Sequence, residues 1–414
     1  MTTTINNEHN KLNVPNLRFP EFQGEWEEYK LEDITAEIGD GIHATPIYDD
    51  NGTFYFVNGN NISEYGITIT TTTQKVTEEE ALRNNASALN SYSILLSING
   101  TVGNVALYKN EPIMLGKSAC YINVSSNINR NYIFYYLMMP KCQFYFTSEL
   151  TGTTIKNLSL KSVRKTKVLL PDANEQSKIA RLFDAINERI ATQNKIIDKL
   201  QSLIKRLEDK ILDNPLWEKT YLRSFMQFFS TNSLSWEQLS YEEGEIRNLH
   251  YGLIHGFQTR GINSASLPMI KNEAVPKQYI SCQVGDVAFA DASEDTGEIA
   301  KSVEFVDTIE GNTICGLHTI HGRDIKNRTV VGFKGFAFNS RYFHNQIKRL
   351  AQGTKVFSIT ANNLSSCYVY LPDLEKQKAI VKLLRSYEEQ LIIGRMILKQ
   401  YEKQKQYMLR QMFI

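Results

Sequence analysis

The chain contains the stretch LPDANEQSKI at residues 170–179 and repeats it as LPDLEKQKAI at residues 371–380. The Leu, Pro, Asp, Gln and Ile of the two copies are all separated by 201 residues. The same offset relates Gly152-Thr153 to Gly353-Thr354 upstream. A period this long indicates two copies of one structural unit, and it predicts a pseudo-twofold internal repeat suited to reading two half-sites.

A narrow apolar stripe follows each copy of the repeated stretch. Its residues step by three and four positions from Ile179 to Ile211, with polar Gln193 filling the gap, and from Ile380 to Met412, with Gly394 and Lys405 as weak points. This spacing predicts two long helices, the first about 55 Å long at a rise of 1.5 Å per residue. A narrow stripe needs one partner, so an antiparallel coiled coil of the two helices is expected. The alternative is two separate core helices.

The segments between the helices have a different composition. Residues 26–170 and 217–371 are rich in Thr, Tyr, Phe, Val, Asn and Gly, with short alternating runs and turn pairs. Both segments open on a Trp-Glu pair, at Trp26 and Trp217. They predict two mixed α/β domains built on short strands, so the fold class is α+β with two long antiparallel coiled-coil helices.

Composition restricts the function classes only weakly. The 414 residues carry a net charge of +1, so bulk charge does not indicate nucleic-acid binding. The five cysteines are scattered without a C-x-x-C pair, which argues against a disulfide framework and a zinc site and favours a reducing compartment. No apolar run has the ~20 residues of a membrane span, and the polar start at 1–14 predicts a disordered tail instead of a signal peptide. A cytoplasmic protein that does not bind a membrane is expected.

Catalytic signatures are incomplete. The loop Asn214-Pro215-Leu216-Trp217 lacks the second proline of the amino-methyltransferase motif, and no glycine-rich cofactor loop precedes it. Gly311 and Gly316 have P-loop spacing, but Leu317-His318 follows where Lys-Ser or Lys-Thr is required. The seven histidines show no metal spacing beyond the pair His318 and His321. We therefore expect a chain without catalytic residues, metal or cofactor.

Polar loops supply the positive indications. Glycine and threonine loops with nearby lysines are suited to contact phosphates. The candidates for this role are Thr153, Thr154, Lys156, Lys161, Arg164 and Lys165 in the first segment and Thr354 and Lys355 in the second. Base edges are read by amide, hydroxyl, guanidinium and related polar side chains. The candidates are His43, Thr45, Asn58, Asn60, Asn61, Ser97, Asn99 and Thr101, and then His255, Gln258, Thr259, Arg260, Asp291, Ser293 and Thr296. For any single residue, a solvated loop position is an equally good interpretation.

The whole pattern resembles the specificity subunit of type I restriction-modification systems. The resemblance covers residues 15–414 and depends on the start Leu17-Arg18-Phe19-Pro20, the Trp26 segment and the repeated Leu-Pro helix. It implies a tail at 1–14, target recognition domains at 15–170 and 213–371, a central helix at 171–212 and a C-terminal helix at 372–414.

The resemblance also implies partners. The domains would each bind half of a bipartite double-stranded DNA target, and the helices would determine the spacer and dock two methyltransferase subunits. The residues expected in the helix pair and its docking surface are Gln176, Ile179, Leu182, Ile186, Gln377, Ile380, Leu383 and Tyr387. S-adenosylmethionine, ATP and Mg would belong to the methyltransferase and restriction subunits and not to this chain. One departure is that Lys376 replaces the glutamate before the glutamine of the second copy.

Two other interpretations stay open from the sequence. The chain could be a fused methyltransferase or nuclease, which would act on DNA without a partner. It could instead be a structural scaffold whose two domains bind protein or glycan, in which case DNA binding would be absent or insensitive to salt.

Overall fold

The computed structural model describes residues 13–84, 86–152, 156–307 and 312–414. The chain forms two compact units, the first comprising residues 1–192 and 398–414 and the second residues 193–397. Two long helices, Ala173–Leu212 and Leu374–Gln411, each contribute one part to each unit. Among the described residues, no helix has the length and apolar character needed to cross a membrane.

The first unit is a mixed α/β domain. Its strands form a two-stranded sheet, Glu27–Lys30 with Lys167–Leu170; a four-stranded sheet in the order Thr35–Asp40, Ala119–Val124, Ser93–Ser97, Val105–Leu107; a three-stranded sheet in the order Lys75–Val76, Phe54–Val57, Ile113–Leu115; and the pair Ile62–Ser63 with Gly66–Ile67. Its short helices are Glu78–Arg83, Arg130–Met138, Pro140–Ser148 and Leu160–Arg164.

The second unit has the same class of architecture. Its strands form the pair Glu218–Tyr221 with Tyr368–Leu371; a five-stranded sheet in the order Met226–Phe229, Thr319–Asp324, Val287–Ala290, Ser302–Asp307, Gly261–Asn263; a four-stranded sheet in the order Leu239–Ser240, Met269–Ile270, Arg247–Leu249, Thr313–Cys315; and the pair Ala292–Ser293 with Phe357–Ser358. Its short helices are Tyr251–Gly256, Phe333–Ala337, Arg341–Leu350 and Ala361–Ser366. The predicted mixed α/β architecture is confirmed.

Each unit encloses its core against a part of the long helices. In the first unit, Trp26 and Ile179 lie in one buried cluster with Leu409 and Phe413. In the second unit, Leu212 lies in one buried cluster with Ile380 and Leu384. Because apolar residues near the ends of each long helix are covered inside these clusters, their burial stabilises the helix and the domain together.

The two long helices begin in the same way. Asp172 Oδ1 accepts hydrogen bonds from the backbone N–H groups of Asn174 and Glu175, and Asp373 Oδ1 accepts one from Lys376. These contacts satisfy N–H groups that have no partner in the first turn of a helix. The Leu-Pro-Asp segments are therefore helix caps.

A buried glutamine ties each long helix to its own domain. Gln176 Nε2 donates to the Pro171 carbonyl, and its Oε1 accepts from the Asn129 backbone N–H. Gln377 repeats this arrangement with the Pro372 carbonyl and the Val330 backbone N–H, at 3.0 Å each. Val330 follows Asn129 by the same 201 residues, so the repeat extends to the partners of the glutamine.

The weak points of the stripes have structural explanations. Gln193 Nε2 donates to the Gly394 carbonyl at 3.0 Å, and a Cβ at Gly394 would lie 3.1 Å from that nitrogen. The interruption of the first stripe, Gln193, therefore contacts one interruption of the second stripe, Gly394. Lys405 is buried and forms an ion pair with Glu64, which compensates its charge.

The first helix also contacts the segment that precedes the domain. Arg18 makes a bidentate ion pair with Glu175, at 2.8 and 2.7 Å, and Trp26 Nε1 donates to the same carboxylate at 3.3 Å. Glu175 is fully buried, whereas Lys376 of the second copy is exposed and pairs with Asp373. The glutamate is therefore present in the copy in which Arg18 forms an ion pair with it.

Candidate nucleic-acid interface

Each unit contains a short loop closed by the same pair of backbone hydrogen bonds. Thr151 and Asn157 exchange N–H···O bonds of 3.0 and 2.8 Å, and Gln352 and Ser358 do the same at the same distances. The two pairs are again separated by 201 residues. Gly353 has φ +126° inside its loop, a left-handed value that a side chain would strain. The residues that close the two glycine and threonine loops are therefore structurally equivalent.

A cleft of about 720 Å³ lies beside the loop of the first unit. It gathers four of the predicted base-reading residues, namely His43, Asn60, Asn99 and Thr101. Asn99 forms an antiparallel bridge with Asn157, which places it next to the closing pair of the loop. His43 is exposed, and its Nε2 lies 2.8 Å from Asp40 Oδ2. The cleft therefore presents an imidazole, two amides and a hydroxyl at one surface.

Three other predicted residues hold the cleft in shape. Asn58 Oδ1 accepts from Ser118 Oγ, and Asn61 Oδ1 accepts from the Asn58 backbone N–H. Ser97 is fully buried and lies where a Cβ at Gly59 would come within 2.3 Å of its Oγ. The prediction that Ser97 faces bases is therefore wrong for a direct contact, because the side chain supports the turn from inside.

The predicted cations of the first unit divide into two groups. Lys156, Lys161 and Lys165 are exposed, as a phosphate contact requires. Arg164 is half-buried and donates to the Ile38 carbonyl at 2.7 Å, so its guanidinium fastens a helix to a strand. Thr153 and Thr154 lie outside the described residues, and Thr45 is exposed in the His43 loop without lining the cleft.

The corresponding surface of the second unit includes another set of predicted residues. Ser293 pairs with Phe357 on the strand pair next to the closing pair Gln352 and Ser358, and Thr354 and Lys355 are exposed in the loop. Asp291 Oδ1 lies 3.1 Å from His318 Nδ1 at the edge of this surface. Burial raises the pKa of Asp291, although His318 lowers it. Thr296 is exposed, and its carbonyl accepts from His344.

The remaining predicted residues of this unit line a different cleft. His255, Gln258 and Arg260 face an opening of about 880 Å³ against the long helices. His255 lies 3.2 Å from Glu298, Gln258 accepts from Arg395, and Thr259 donates to the Gly261 carbonyl. The sequence predicts that these residues read bases together with Asp291 and Ser293. In the structure, Asp291 and Ser293 do not line this cleft.

Arg260 is partly buried among carboxylates of the long helices. Its Nε lies 3.9 Å from Glu208 Oε1, and its backbone N–H donates to Glu388 Oε1 at 3.2 Å. Burial raises the pKa of Glu388 to about 7, although Arg260 lowers it. Burial likewise raises the pKa of Glu208. The guanidinium is therefore positioned to attach the domain to its helices, and its role in reading bases stays a prediction.

The predicted helix residues mostly lie in the cores. Gln176, Ile179, Ile186, Gln377 and Ile380 are buried, and Leu182 and Tyr387 are half-buried. Leu383 is 40% exposed, because the helix buries Val381, Leu384 and Glu388 in its place. The buried side chains suit the helix-pair part of the prediction, and the docking part stays a prediction that requires exposed residues of the helices. Their contribution is to pack each helix against its own unit.

Lys117 is a functional candidate that the sequence analysis missed. It is exposed, lines the cleft of the first unit, and offers its carbonyl to Asn99 Nδ2 at 3.5 Å. The segment Gly116-Lys117-Ser118 is a small polar stretch with a lysine, which is the feature that could have predicted a phosphate contact. It lies far in the sequence from the glycine and threonine loop.

Comparisons with known proteins identify the class. The family model of the type I restriction modification DNA specificity domain matches residues 23–202 and 270–403. The "Putative type I restriction enzyme MjaX specificity subunit" of Methanocaldococcus jannaschii is 23% identical over 95% of this chain and 94% of its own length. The type I restriction enzyme MjaVIII specificity subunit of the same organism is 26% identical over 66% of this chain and 67% of its own length.

A solved structure has the same fold. The S subunit of a type I restriction-modification system from M. genitalium aligns over 97% of this chain and 99% of its own, with a TM-score of 0.59 and 14% identity. The chain belongs to the family of type I restriction-modification DNA specificity domains. It is a specificity subunit of such a system, and the resemblance seen in the sequence is confirmed.

Proposed function

We propose that this chain is a non-catalytic subunit that reads a bipartite DNA sequence, with one half-site bound by each unit. The observation that carries the proposal is the equivalent loop in each unit, bordered by exposed polar and basic side chains. Two copies of one reading surface suit two half-sites of double-stranded DNA. The pseudo-twofold relation and the antiparallel coiled coil stay predictions from the repeat.

The exposed side chains around the loops are of two kinds, lysines and asparagines, with different expected contacts to DNA. Exposed Lys156 and Lys355 carry the charge that phosphate contacts need, and such contacts position a protein without reading sequence. Asn60 and Asn99 carry amides of the kind that pair bidentately with adenine in the major groove. We assign the lysines to register on the duplex and the amides to the choice of base.

The catalytic steps belong to other subunits in this proposal. Two methyltransferase subunits would bind S-adenosylmethionine and methylate adenine N6, and restriction subunits would use ATP and Mg. A docking surface is available on the long helices within the second unit, where apolar side chains are exposed without a covering group among the described residues. They are Ile196, Leu203, Ile393, Met396 and Ile397, between 39 and 62% exposed. Ile196 and Leu203 lie on the first long helix and the other three on the second, and several exposed apolar side chains within one unit are typical of a protein contact.

The long helices supply the spacer in the same proposal. Contacts of Gln193 with Gly394, and of Leu212 in one cluster with Ile380, support antiparallel packing of the helix parts that belong to the second unit. A helix pair with buried stripes resists bending, so its length would determine how many base pairs separate the half-sites.

Two matched variants test the assignment of the reading surface. Lys156→Ala should weaken DNA binding by the assembled methyltransferase to every sequence and reduce the slope of log affinity against log salt by about 1. Asn99→Ala should leave the salt slope unchanged and relax the base preference in one half-site. If Lys156→Ala changed which bases are methylated, its assignment to phosphate would be wrong. If neither variant altered binding, this surface would not be the DNA interface.

A further inference from the structure

The second unit brings together Cys282, Cys315 and His321, which are far apart in sequence. The two Sγ atoms are 3.5 Å apart, and one donor atom from each of the three residues lies within 4.8 Å of the others. The residues are 7, 2 and 1% exposed. Cys315 ends the strand Thr313–Cys315, and His321 lies in the strand Thr319–Asp324, so the group joins the four-stranded and five-stranded sheets.

A carboxylate contacts one ring nitrogen of the histidine. His321 Nε2 lies 2.7 Å from Asp286 Oδ2, and Arg323 donates to both oxygens of Asp286 at 2.8 and 2.7 Å. The Gln283 backbone N–H adds a third donor to the carboxylate at 2.8 Å. A carboxylate that accepts from Nε2 leaves Nδ1 with the free lone pair, which is the arrangement that supports a metal-bound histidine.

The sulfur separation shows two sulfur atoms that are not bonded to each other, and it is close to the separation of two thiolates on one metal ion. A disulfide bond is about 2.05 Å long, far shorter than the observed 3.5 Å. Two thiolates bound to one tetrahedral zinc ion, each with a Zn–S bond of about 2.3 Å, are about 3.7 Å apart. We propose that Cys282, Cys315 and His321 bind a thiophilic divalent metal ion of the zinc class.

The charges of the site balance with such an ion. Binding would release one proton from each thiol, and the two thiolates would neutralise a divalent cation. Arg323 already neutralises Asp286, so the loaded site would carry no net charge in its buried position. The protein supplies three donors, and water would complete a tetrahedral set.

The position of the site indicates a structural role. Cys315 and His321 flank the segment that contains His318, which contacts Asp291 at the edge of the proposed reading surface. A metal bound to both residues would restrain this segment and the loop of residues 282–286. The inference does not depend on the identity of the DNA target.

Metal content of the unaltered full chain is the first test. The chain, purified under reducing conditions and dialysed against metal-free buffer, should retain about one zinc per chain by plasma mass spectrometry. Replacement of zinc by Co²⁺ should produce near-ultraviolet thiolate-to-cobalt absorption and the visible bands of a tetrahedral ion. Absence of zinc together with absence of thiolate-to-cobalt absorption would overturn the proposal, as would an intact mass showing a Cys282–Cys315 disulfide.

Matched variants assign the ligands. Cys315→Ser should lower zinc affinity at least 10-fold, measured by competition with a chromophoric chelator. Cys367→Ser alters another buried cysteine of the same unit and should keep the affinity of the unaltered chain. Equal loss in the two variants would contradict the assignment. If Cys315→Ser does not fold, the cobalt spectrum of the unaltered chain decides the matter without it.

Discussion

Replacing Gln377 by methionine should release the start of the second long helix from its domain. The glutamine is fully buried and makes three hydrogen bonds of 3.0 Å, to the carbonyls of Arg328 and Pro372 and from the backbone N–H of Val330. Methionine keeps much of the volume and removes all three bonds. At a net value of about 1 kcal/mol for each bond, the local stability should fall by about 3 kcal/mol.

Hydrogen exchange followed by mass spectrometry measures this loss locally. A loss of about 3 kcal/mol corresponds to exchange about 100-fold faster, since each 1.4 kcal/mol is about tenfold, in peptides covering 328–332 and 374–384. Gln390→Met is the matched control, because Gln390 is exposed on the same helix and should change stability by less than about 0.5 kcal/mol. Gln176→Met removes two such bonds and should cost about 2 kcal/mol in the first unit. Exchange in Gln377→Met no faster than in Gln390→Met would show that the hydrogen bonds of Gln377 do not hold the start of the helix.

Three further predictions concern charge and spacing. Arg18→Gln should lower the free energy of unfolding in urea by about 3–5 kcal/mol, because it leaves the buried Glu175 without its cation. Adding Glu175→Gln should recover part of the loss. A double variant as unstable as the single one would count against a stabilising ion pair. Because the folded pKa of Glu388 is about 7 and its ordinary value is 4.5, its contribution to stability is fully present below about pH 4.5 and is lost as pH rises through 7. Glu388→Gln should therefore remove a loss of up to about 3 kcal/mol between pH 4.5 and 8, and an identical pH dependence in both chains would disprove this. Inserting four helix-forming residues after Gln193 adds about 6 Å of helix and should lengthen the DNA spacer between the half-sites by about one or two base pairs. An unchanged spacer in the methylated motif would show that the helix does not determine the spacer length.

The sequence predicted the long helices because their determinants are local. Apolar periodicity and the capping Asp172 and Asp373 lie within a few residues of the helices that they define. The second stripe was predicted wrongly at Leu383, since Leu383 and Leu384 are adjacent and only the packing in the second unit selects Leu384 for burial. Periodicity alone cannot choose between two neighbouring leucines.

Contacts between segments that are far apart in the chain could not be predicted from the sequence. Cysteine spacing argued against a zinc site, yet the fold brings donor atoms of Cys282, Cys315 and His321 within 4.8 Å of one another. Arg260 had the side chain of a base-reading residue, but the carboxylates of Glu208 and Glu388 reach it from the long helices. Such juxtapositions depend on sheet order and helix packing, which no spacing rule encodes.

Methylome sequencing tests the central claim most directly. A host that lacks other adenine methylation would express a partner methyltransferase subunit with or without this chain, and long-read sequencing would detect N6-methyladenine. We expect a bipartite motif with a fixed spacer, methylated in both halves and present only when this chain is expressed. Absence of any motif from cells in which the assembled complex has been isolated, or the same motif without this chain, would contradict it.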